Sequence, residues 1–163
     1  MASPASIAKH PIHPMLVVFP IGLWVFSLVS DLILVLGSGS AVWNDVAFYA
    51  MAGGLVGALL AAVPGLIDFL SLAEPRVKKI GTWHMILNLF AVALFAVNLW
   101  LRTRTAPGAS LPIALSVIGV VSIGVSGWLG GEMVYVHAVA VEPHREAKPE
   151  KRSNEDKAQR RIV

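Results

Sequence analysis

The sequence contains no cysteine and little charge. Without cysteine the chain has no disulfide bond, no thiolate metal ligand and no cysteine nucleophile. Charged residues make up 14% of its 163 residues and hydrophobic residues 56%, whereas a typical soluble domain carries about 25% charged residues. A soluble domain of this length needs polar outer faces, and this composition cannot supply them. The scarcity of charge therefore predicts a membrane protein.

Four apolar runs predict transmembrane helices at about residues 14–37, 46–73, 82–102 and 111–134. Each is long enough for a membrane span, which needs roughly 20 residues. The first run is too long for the apolar segment of a signal peptide, so we expect it to be retained. Short connections make consecutive helices antiparallel neighbours. The sequence therefore predicts an all-α integral membrane domain, an up-down bundle of four transmembrane helices over residues 1–141.

The remaining residues, 142–163, differ from the bundle in composition because basic and acidic residues alternate there with almost nothing apolar. This pattern predicts a charged, disordered tail in water. Lysine and arginine are also distributed unevenly between the two sides of the bundle. Eleven of them lie before the first helix, between the second and third helices, or in the tail, and two lie at the end of the third helix. The positive-inside rule then predicts a multi-pass membrane protein with both termini in the cytoplasm. The net charge of +3 belongs to these segments and does not indicate binding to nucleic acid.

The second predicted helix carries small residues at a spacing of four, among them Gly53 and Gly57. Small side chains let helix backbones approach closely, which favours packing inside a membrane. Three interpretations remain open at this point. The glycines serve ordinary packing between neighbouring helices, make room for a flat cofactor, or support self-association of two copies of the chain.

Polar residues of the predicted helices collect at the cytoplasmic end. Ionisable residues inside a membrane are costly and default to functional candidates. At the far end, Asp31 and Arg102 share one level and are predicted to pair. The cytoplasmic cluster comprises His10, His13, Asp68, His84, Asn88, Glu132, Tyr135 and His137.

These residues also share helix faces. In the first predicted helix, His13, Trp24 and Asp31 lie on one stripe whose members recur every three or four residues. In the third, a similar stripe contains His84, Phe95 and Arg102. We expect both stripes to face the interior of the bundle.

Two histidines precede prolines in the segment His10-Pro11-Ile12-His13-Pro14. A residue before proline is pushed away from the helical region, so we expect His10 and His13 to be extended and His13 to cap the first helix. His84 is predicted to lie in the first turn of its helix. The helix dipole disfavours a charged imidazole at both places, which predicts the neutral form that binds a metal or haem iron.

The opening segment from His10 to Leu23, His-Pro-Ile-His-Pro-Met-Leu-Val-Val-Phe-Pro-Ile-Gly-Leu, resembles that of a bacterial membrane family catalogued as domain of unknown function 2231. Similar segments run from Pro64 to Asp68, from His84 to Asn88 and from Gly127 to His137. The resemblance covers roughly residues 9–142 and implies a four-helix domain in the bacterial inner membrane. Some relatives join this domain to Rieske or cytochrome c modules, which implies electron transfer. This chain lacks the cysteines of such modules and carries Val136 where many relatives have a basic residue.

A haem b or divalent-metal centre near the cytoplasmic face is the first functional hypothesis. His13, His84 and His137 are the candidate ligands, because histidine commonly holds haem iron and facing helices build such sites in bundles. Asp68, Asn88 and Glu132 would bind the ring N–H groups, as partners of metal-bound histidines do. The protein would then transfer electrons and work with a redox partner.

A membrane scaffold is the alternative hypothesis, with the polar cluster serving as a hydrogen-bond network, because buried polar groups need partners whatever their function. In a transporter, the third hypothesis, Asp31 and Asp68 would be stations on a proton path. No phosphate-binding glycine loop, Ser–His–Asp set or His-Glu-x-x-His motif is present. The sequence therefore gives no indication of an enzyme.

Overall fold

The chain forms four membrane-length helical spans in a computed structural model that describes residues 3–37 and 39–141. Each span is long and apolar enough to cross a bilayer, which confirms the predicted all-α membrane bundle. The predicted tail lies outside the described residues. The elements are the paired strands Ser6–Ile7 (β1) and His10–Pro11 (β2), and the helices Ile12–Leu16 (α1), Val18–Leu36 (α2), Val42–Leu70 (α3), Pro75–Arg102 (α4) and Ser110–Tyr135 (α5).

The first span is interrupted at Val17, between α1 and α2. Val17 itself keeps helical backbone angles, and its hydrogen bonds to His13 and Ile21 continue the span. Pro20 has no N–H to donate to the carbonyl one turn earlier, and its ring displaces that carbonyl. His10 is extended in β2, as predicted, but His13 is helical, and Pro11 rather than His13 precedes α1. Pro14 is tolerated because it lies in the first turn of α1, where N–H groups have no helical partner.

Helix α4 begins at Pro75, seven residues earlier than the sequence predicted. The carboxylate of Glu74 accepts hydrogen bonds from the backbone N–H groups of Arg76 and Val77, and Pro75 occupies the first helical position. Both features favour helix initiation, so the helix includes a charged stretch outside the apolar run. His84 consequently lies more than two turns into α4, beyond the first-turn dipole field that the sequence predicted for it.

The outward faces of the bundle are apolar. Leu59, Val63 and Val121 are at least 60% exposed, which suits contact with lipid rather than water. The interior is small, and Trp24 stacks on Phe95 at its centre, with 4.2 Å between ring centres. Helix α2 packs on α3 and α4 on α5, with further contacts between α3 and α4 and between α2 and α5. Helices α2 and α4 therefore lie diagonally, and their long side chains meet across the middle.

The bundle consists of two similar hairpins, α1–α3 and α4–α5. Three pairs of residues meet across the diagonal, and the members of each pair are 71 positions apart. The pairs are His13 with His84, Trp24 with Phe95, and Asp31 with Arg102. Between residues 13–31 and 84–102, five of nineteen aligned positions are identical, namely His13/His84, Leu16/Leu87, Phe19/Phe90, Leu23/Leu94 and Leu28/Leu99.

The second helices of the two hairpins repeat as well, at an offset of 65 positions. A Cβ atom on Gly54 would lie 2.5 Å from Trp24 Cδ1, and one on Gly119 would lie 2.6 Å from Phe95 Cζ. Ser27 Oγ donates to the Ala47 carbonyl at 2.7 Å, and its equivalent, Asn98 Nδ2, donates to the Pro112 carbonyl at 2.9 Å. The equivalent contacts imply an approximate twofold axis along the bundle, with the three cross-diagonal pairs on it.

The small residues Gly53 and Gly57 are used inside the chain. A Cβ atom on Gly53 would lie 3.3 Å from Leu23 Cδ1, and one on Gly57 would lie 3.2 Å from Pro20 Cδ. Both glycines thus provide the close packing of α3 against α2. This is the first of the three interpretations that the sequence left open.

Candidate functional site

His13 and His84 meet on the approximate twofold axis at one end of the bundle, which we term the histidine end. Their ring centres are 6.2 Å apart and their planes are nearly perpendicular, at 87°. His13 belongs to α1 and His84 to α4, so each hairpin contributes one ring. Both side chains are half-buried.

Each histidine binds a backbone carbonyl on the partner helix of its own hairpin. Nδ1 of His13 lies 2.8 Å from the Ala61 oxygen, and Nδ1 of His84 lies 2.8 Å from the Ser126 oxygen. A carbonyl oxygen only accepts, so Nδ1 of both rings carries the proton and donates. In a neutral ring with this tautomer, Nε2 is the acceptor nitrogen.

Glycine makes room for both rings. A Cβ atom on Gly65 would lie 2.6 Å from His13 Nδ1, and one on its equivalent, Gly130, would lie 3.2 Å from His84 Cε1. Pro64, next to Gly65, also interrupts the hydrogen bonding of α3 at this level. A side chain at Gly65 would displace the His13 ring from the axis, so this glycine fixes how deeply the ring enters the bundle.

The two Nε2 atoms differ in their surroundings. Asn88 Nδ2 lies 3.0 Å from His84 Nε2 and also donates to the His84 carbonyl at 2.9 Å. His13 Nε2 has no hydrogen-bond partner within residues 3–37 and 39–141. The lone pair of His84 is therefore held by an amide, and that of His13 is available.

The exposed tryptophans of α4 indicate how deep His13 and His84 lie in the membrane. Trp83 and Trp100 are both more than half exposed and are separated by about 26 Å of helix, close to the thickness of the hydrocarbon core. Tryptophan favours the membrane–water interface. Because His84 follows Trp83 directly, the histidine pair lies near one interface rather than at mid-membrane.

Two other members of the predicted cluster bind the N-terminal segment instead of the ring pair. Asp68 Oδ1 accepts from Ser3 Oγ at 2.6 Å and from the Ala5 N–H at 3.2 Å. His10 is exposed, and its Nδ1 lies 2.9 Å from the Ala8 oxygen in the same turn. Neither side chain therefore supports the rings of His13 and His84 by direct contact.

Within residues 3–37 and 39–141, no hydrogen bond joins the rings of His13 and His84 to the predicted side chains at the end of α5. Hydrogen bonds from the N–H groups of Val77 and Arg76 lower the pKa of the Glu74 carboxyl, and the nearby His137 adds to this effect. His137 thus lies beside the start of α4. Tyr135 is 89% exposed, and Glu132 is half-buried. Within the described part of the chain, no three His, Cys, Asp or Glu side chains are arranged to hold one metal ion.

The opposite end of the bundle holds a buried ion pair. Arg102 donates to both carboxylate oxygens of Asp31, at 2.8 Å from Nη1 to Oδ1 and through a second, short contact from Nη2. Their side chains are only 6% and 2% exposed. Ser116 Oγ accepts from Arg102 at 3.3 Å and from Asn98 Nδ2 at 2.9 Å. We term this the ion-pair end.

A family of predicted membrane proteins, DUF2231, matches residues 9–143 of the chain. The chain belongs to the DUF2231 family. The matched residues include both hairpins, the histidine pair and the buried ion pair. No curated protein and no solved structure matches the chain.

For this DUF2231 chain, reasoning from the sequence missed the internal repeat. The signal was present as the spacing His-x₂-Leu-x₂-Phe-x₃-Leu-x₄-Leu, which occurs at residues 13–28 and again at 84–99. Comparing the two stretches identifies His13 and His84 as equivalent positions. It also separates them from His137, which lies beyond the end of α5 and outside both copies.

Proposed function

We propose that this DUF2231 protein holds a haem b group, or a single metal ion, between His13 and His84, and that it transfers electrons in the membrane with a redox partner. The main support is the pair itself. The two imidazoles come from equivalent helices and lie 6.2 Å apart, centre to centre. Two imidazoles bonded to one metal at about 2.0–2.1 Å have ring centres roughly 6 Å apart.

The hydrogen bonds of Nδ1 support the same proposal. Metal-bound histidines almost always donate their second ring N–H to a carbonyl or carboxylate, which fixes the tautomer and the ring orientation. His13 and His84 both do so, through Ala61 and Ser126. Ligation by Nε2 would therefore need no change of tautomer.

Asn88 is the feature that a ligand must displace. Its amide nitrogen donates to His84 Nε2, so a ligand can bind Nε2 only after this hydrogen bond breaks. The amide can then keep its other hydrogen bond, to the His84 carbonyl. A bound haem would supply a one-electron couple. The protein would hold it by two histidines close to one interface, where a partner in water or at the membrane surface can approach.

Absorption spectra of the detergent-purified protein, oxidised and then reduced with dithionite, test the proposal, with metal analysis on the same sample. We expect one haem or metal per chain, and loss of it in His13→Ala and in His84→Ala. His10→Ala and His137→Ala are matched controls that should keep the cofactor, because neither residue contacts the ring pair. Equal loss in all four variants, or wild-type protein free of haem and metal, would contradict the proposal.

A scaffold role is the second candidate, and the contact between Asn88 and His84 Nε2 favours it because this contact already satisfies the ring. In that case His84→Ala lowers the thermal stability in detergent while the wild type carries no cofactor. Asn88→Ala separates the two functions. It should leave a cofactor site intact or improve its affinity, but it should weaken a hydrogen-bond network.

We further propose that both termini lie in the cytoplasm of a bacterial cell, which places the histidine end at the inner face of the inner membrane. The support is the excess of Lys and Arg among the segments at this end, including Arg76, Lys78 and Lys79 at the start of α4. Alkaline phosphatase fused after Val163 is expected to be inactive, and a fusion after Gly108, between α4 and α5, should be active. The reverse pattern would place the histidine end outside.

A further inference from the structure

The segment before the first helix folds back on the histidine end as a strap, which we define as residues 3–11. Strands β1 and β2 pair within it, and the Ala5 carbonyl accepts from the Ile12 N–H at 2.9 Å. Ala5 is buried, at 8% exposure. The strap is thus docked on the bundle and leads directly into α1, which carries His13.

One carboxylate fastens the strap to the body of the bundle. Asp68, near the end of α3, accepts from Ser3 Oγ and from the Ala5 N–H. Charge-assisted hydrogen bonds of this kind are stronger than neutral ones. The turn between the strands has φ values of 47° at Ala8 and 69° at Lys9, which are unfavourable for residues other than glycine. Such a turn persists only when its surroundings hold it.

The helical hydrogen bonding is interrupted on the other side of His13. Pro20 has no N–H to donate to the Leu16 carbonyl, and helix α1 ends at Leu16. Val17 keeps helical backbone angles and still bonds to His13 and Ile21. His13 therefore lies between the latch at Asp68 and the one helical hydrogen bond that Pro20 removes.

The second hairpin has neither an interruption after its histidine nor a carboxylate at the latch position. Asn88, the equivalent of Val17, lies within the unbroken helix α4. Met133, the equivalent of Asp68, has no carboxylate. His84 therefore lies within an uninterrupted helix, whereas its equivalent, His13, lies just before the interruption at Val17.

We propose that the strap and α1 form a movable arm, latched by Asp68, that swings about Val17 and controls access from water to the space between His13 and His84. The proposal rests on the histidine pair being the functional site. With the latch closed, Asp68 positions His13 on the axis. With the latch open, α1 carries the His13 ring away from His84 and a ligand can enter.

Carbethoxylation by diethyl pyrocarbonate, read histidine by histidine by mass spectrometry, tests the arm without a cofactor. His10 is exposed and serves as the internal reference. Asp68→Ala should raise the labelling rate of His13 relative to His10 by about tenfold or more, as expected when hydrogen bonds to a charged group are lost. The rate at His84 should rise less because α4 does not move.

Asp45→Ala is the matched control, because Asp45 is an exposed carboxylate in the first turn of the same helix, at the opposite end. In Asp45→Ala, the labelling rates of His13 and His84 should equal those of the wild type. Ser3→Ala removes one latch contact and leaves Asp68 in place, so it should give an intermediate rate and keeps the test valid if Asp68→Ala fails to fold. His13 labelling that is unchanged in both latch variants overturns the arm.

Haemin added to cofactor-free protein gives a second readout. Asp68→Ala should speed both association and dissociation of haemin and leave the spectrum of the bound form unchanged. If the wild type binds no haemin but the labelling rates change as expected, the arm stands and the proposed cofactor fails. If haemin binds at the same rate to wild type and to Asp68→Ala, the arm does not control access.

Discussion

Arg102→Ala is expected to lower the free energy of unfolding by about 3–5 kcal/mol, the range for breaking a buried pair by removing one partner. The substitution leaves the Asp31 carboxylate 2% exposed with no cation in contact. It also removes the guanidinium that joins Asp31 to Ser116. Denaturant titration in mild detergent, followed by tryptophan fluorescence, measures the loss.

Arg104→Ala is the matched control for this prediction. Arg104 lies two residues further on and is exposed, and its guanidinium lies 5.5 Å from the centre of the Trp100 ring, so its loss should cost about 1 kcal/mol or less. Replacing both partners, as in Asp31→Leu with Arg102→Met, should recover most of the stability because no unpaired charge remains. Equal effects of Arg102→Ala and Arg104→Ala would show that the pair contributes nothing particular to the fold.

Gly54→Ala is expected to destabilise the bundle by about 1–3 kcal/mol, the usual cost of overpacking. The added methyl group would lie 2.5 Å from Trp24 Cδ1, which is far inside van der Waals contact. Trp24 has little freedom to move because it is 3% exposed, stacks on Phe95 and donates to the Met51 carbonyl at 3.3 Å. The melting temperature in detergent is the simplest measurement.

Gly124→Ala is the control for this effect, because a Cβ atom on Gly124 meets nothing within 4 Å. It should be neutral or slightly stabilising, since alanine is the better helix former by about 1 kcal/mol. Gly119→Ala, the equivalent of Gly54→Ala in the other hairpin, should be as harmful as Gly54→Ala. A marked difference between these two variants would argue against the approximate twofold arrangement around Trp24 and Phe95.

Residue spacing was enough to predict the inward faces of the first and third spans. The stripes through Trp24 and Phe95 lie on the axis because recurrence every three or four residues follows the helix period. Helix ends were harder to predict, because they depend on capping side chains and prolines, and a hydropathy profile does not reveal these. The carboxylate cap at Glu74 extends α4 into charged sequence, and Pro20 interrupts the first span at Val17.

The partners of the polar residues could not be predicted from depth alone. Asp68 shares a level with the histidine pair, yet its carboxylate binds Ser3 and Ala5, which are distant in sequence. The repeat is hard to detect in the sequence because four of its five identities are Leu or Phe, which are common throughout transmembrane helices. Two of the three pairs on the axis, Trp24 with Phe95 and Asp31 with Arg102, are not identical.

The approximate twofold axis has a consequence for how the two hairpins can differ. In a symmetric dimer of identical hairpins, each residue on the axis faces its own copy, so an aspartate there would meet an aspartate. Joining two hairpins in one chain removes that restriction, and Asp31 can face Arg102 while Trp24 faces Phe95. Of the three pairs on the axis, only His13 and His84 are still alike, as they would be in two copies of one ancestral hairpin.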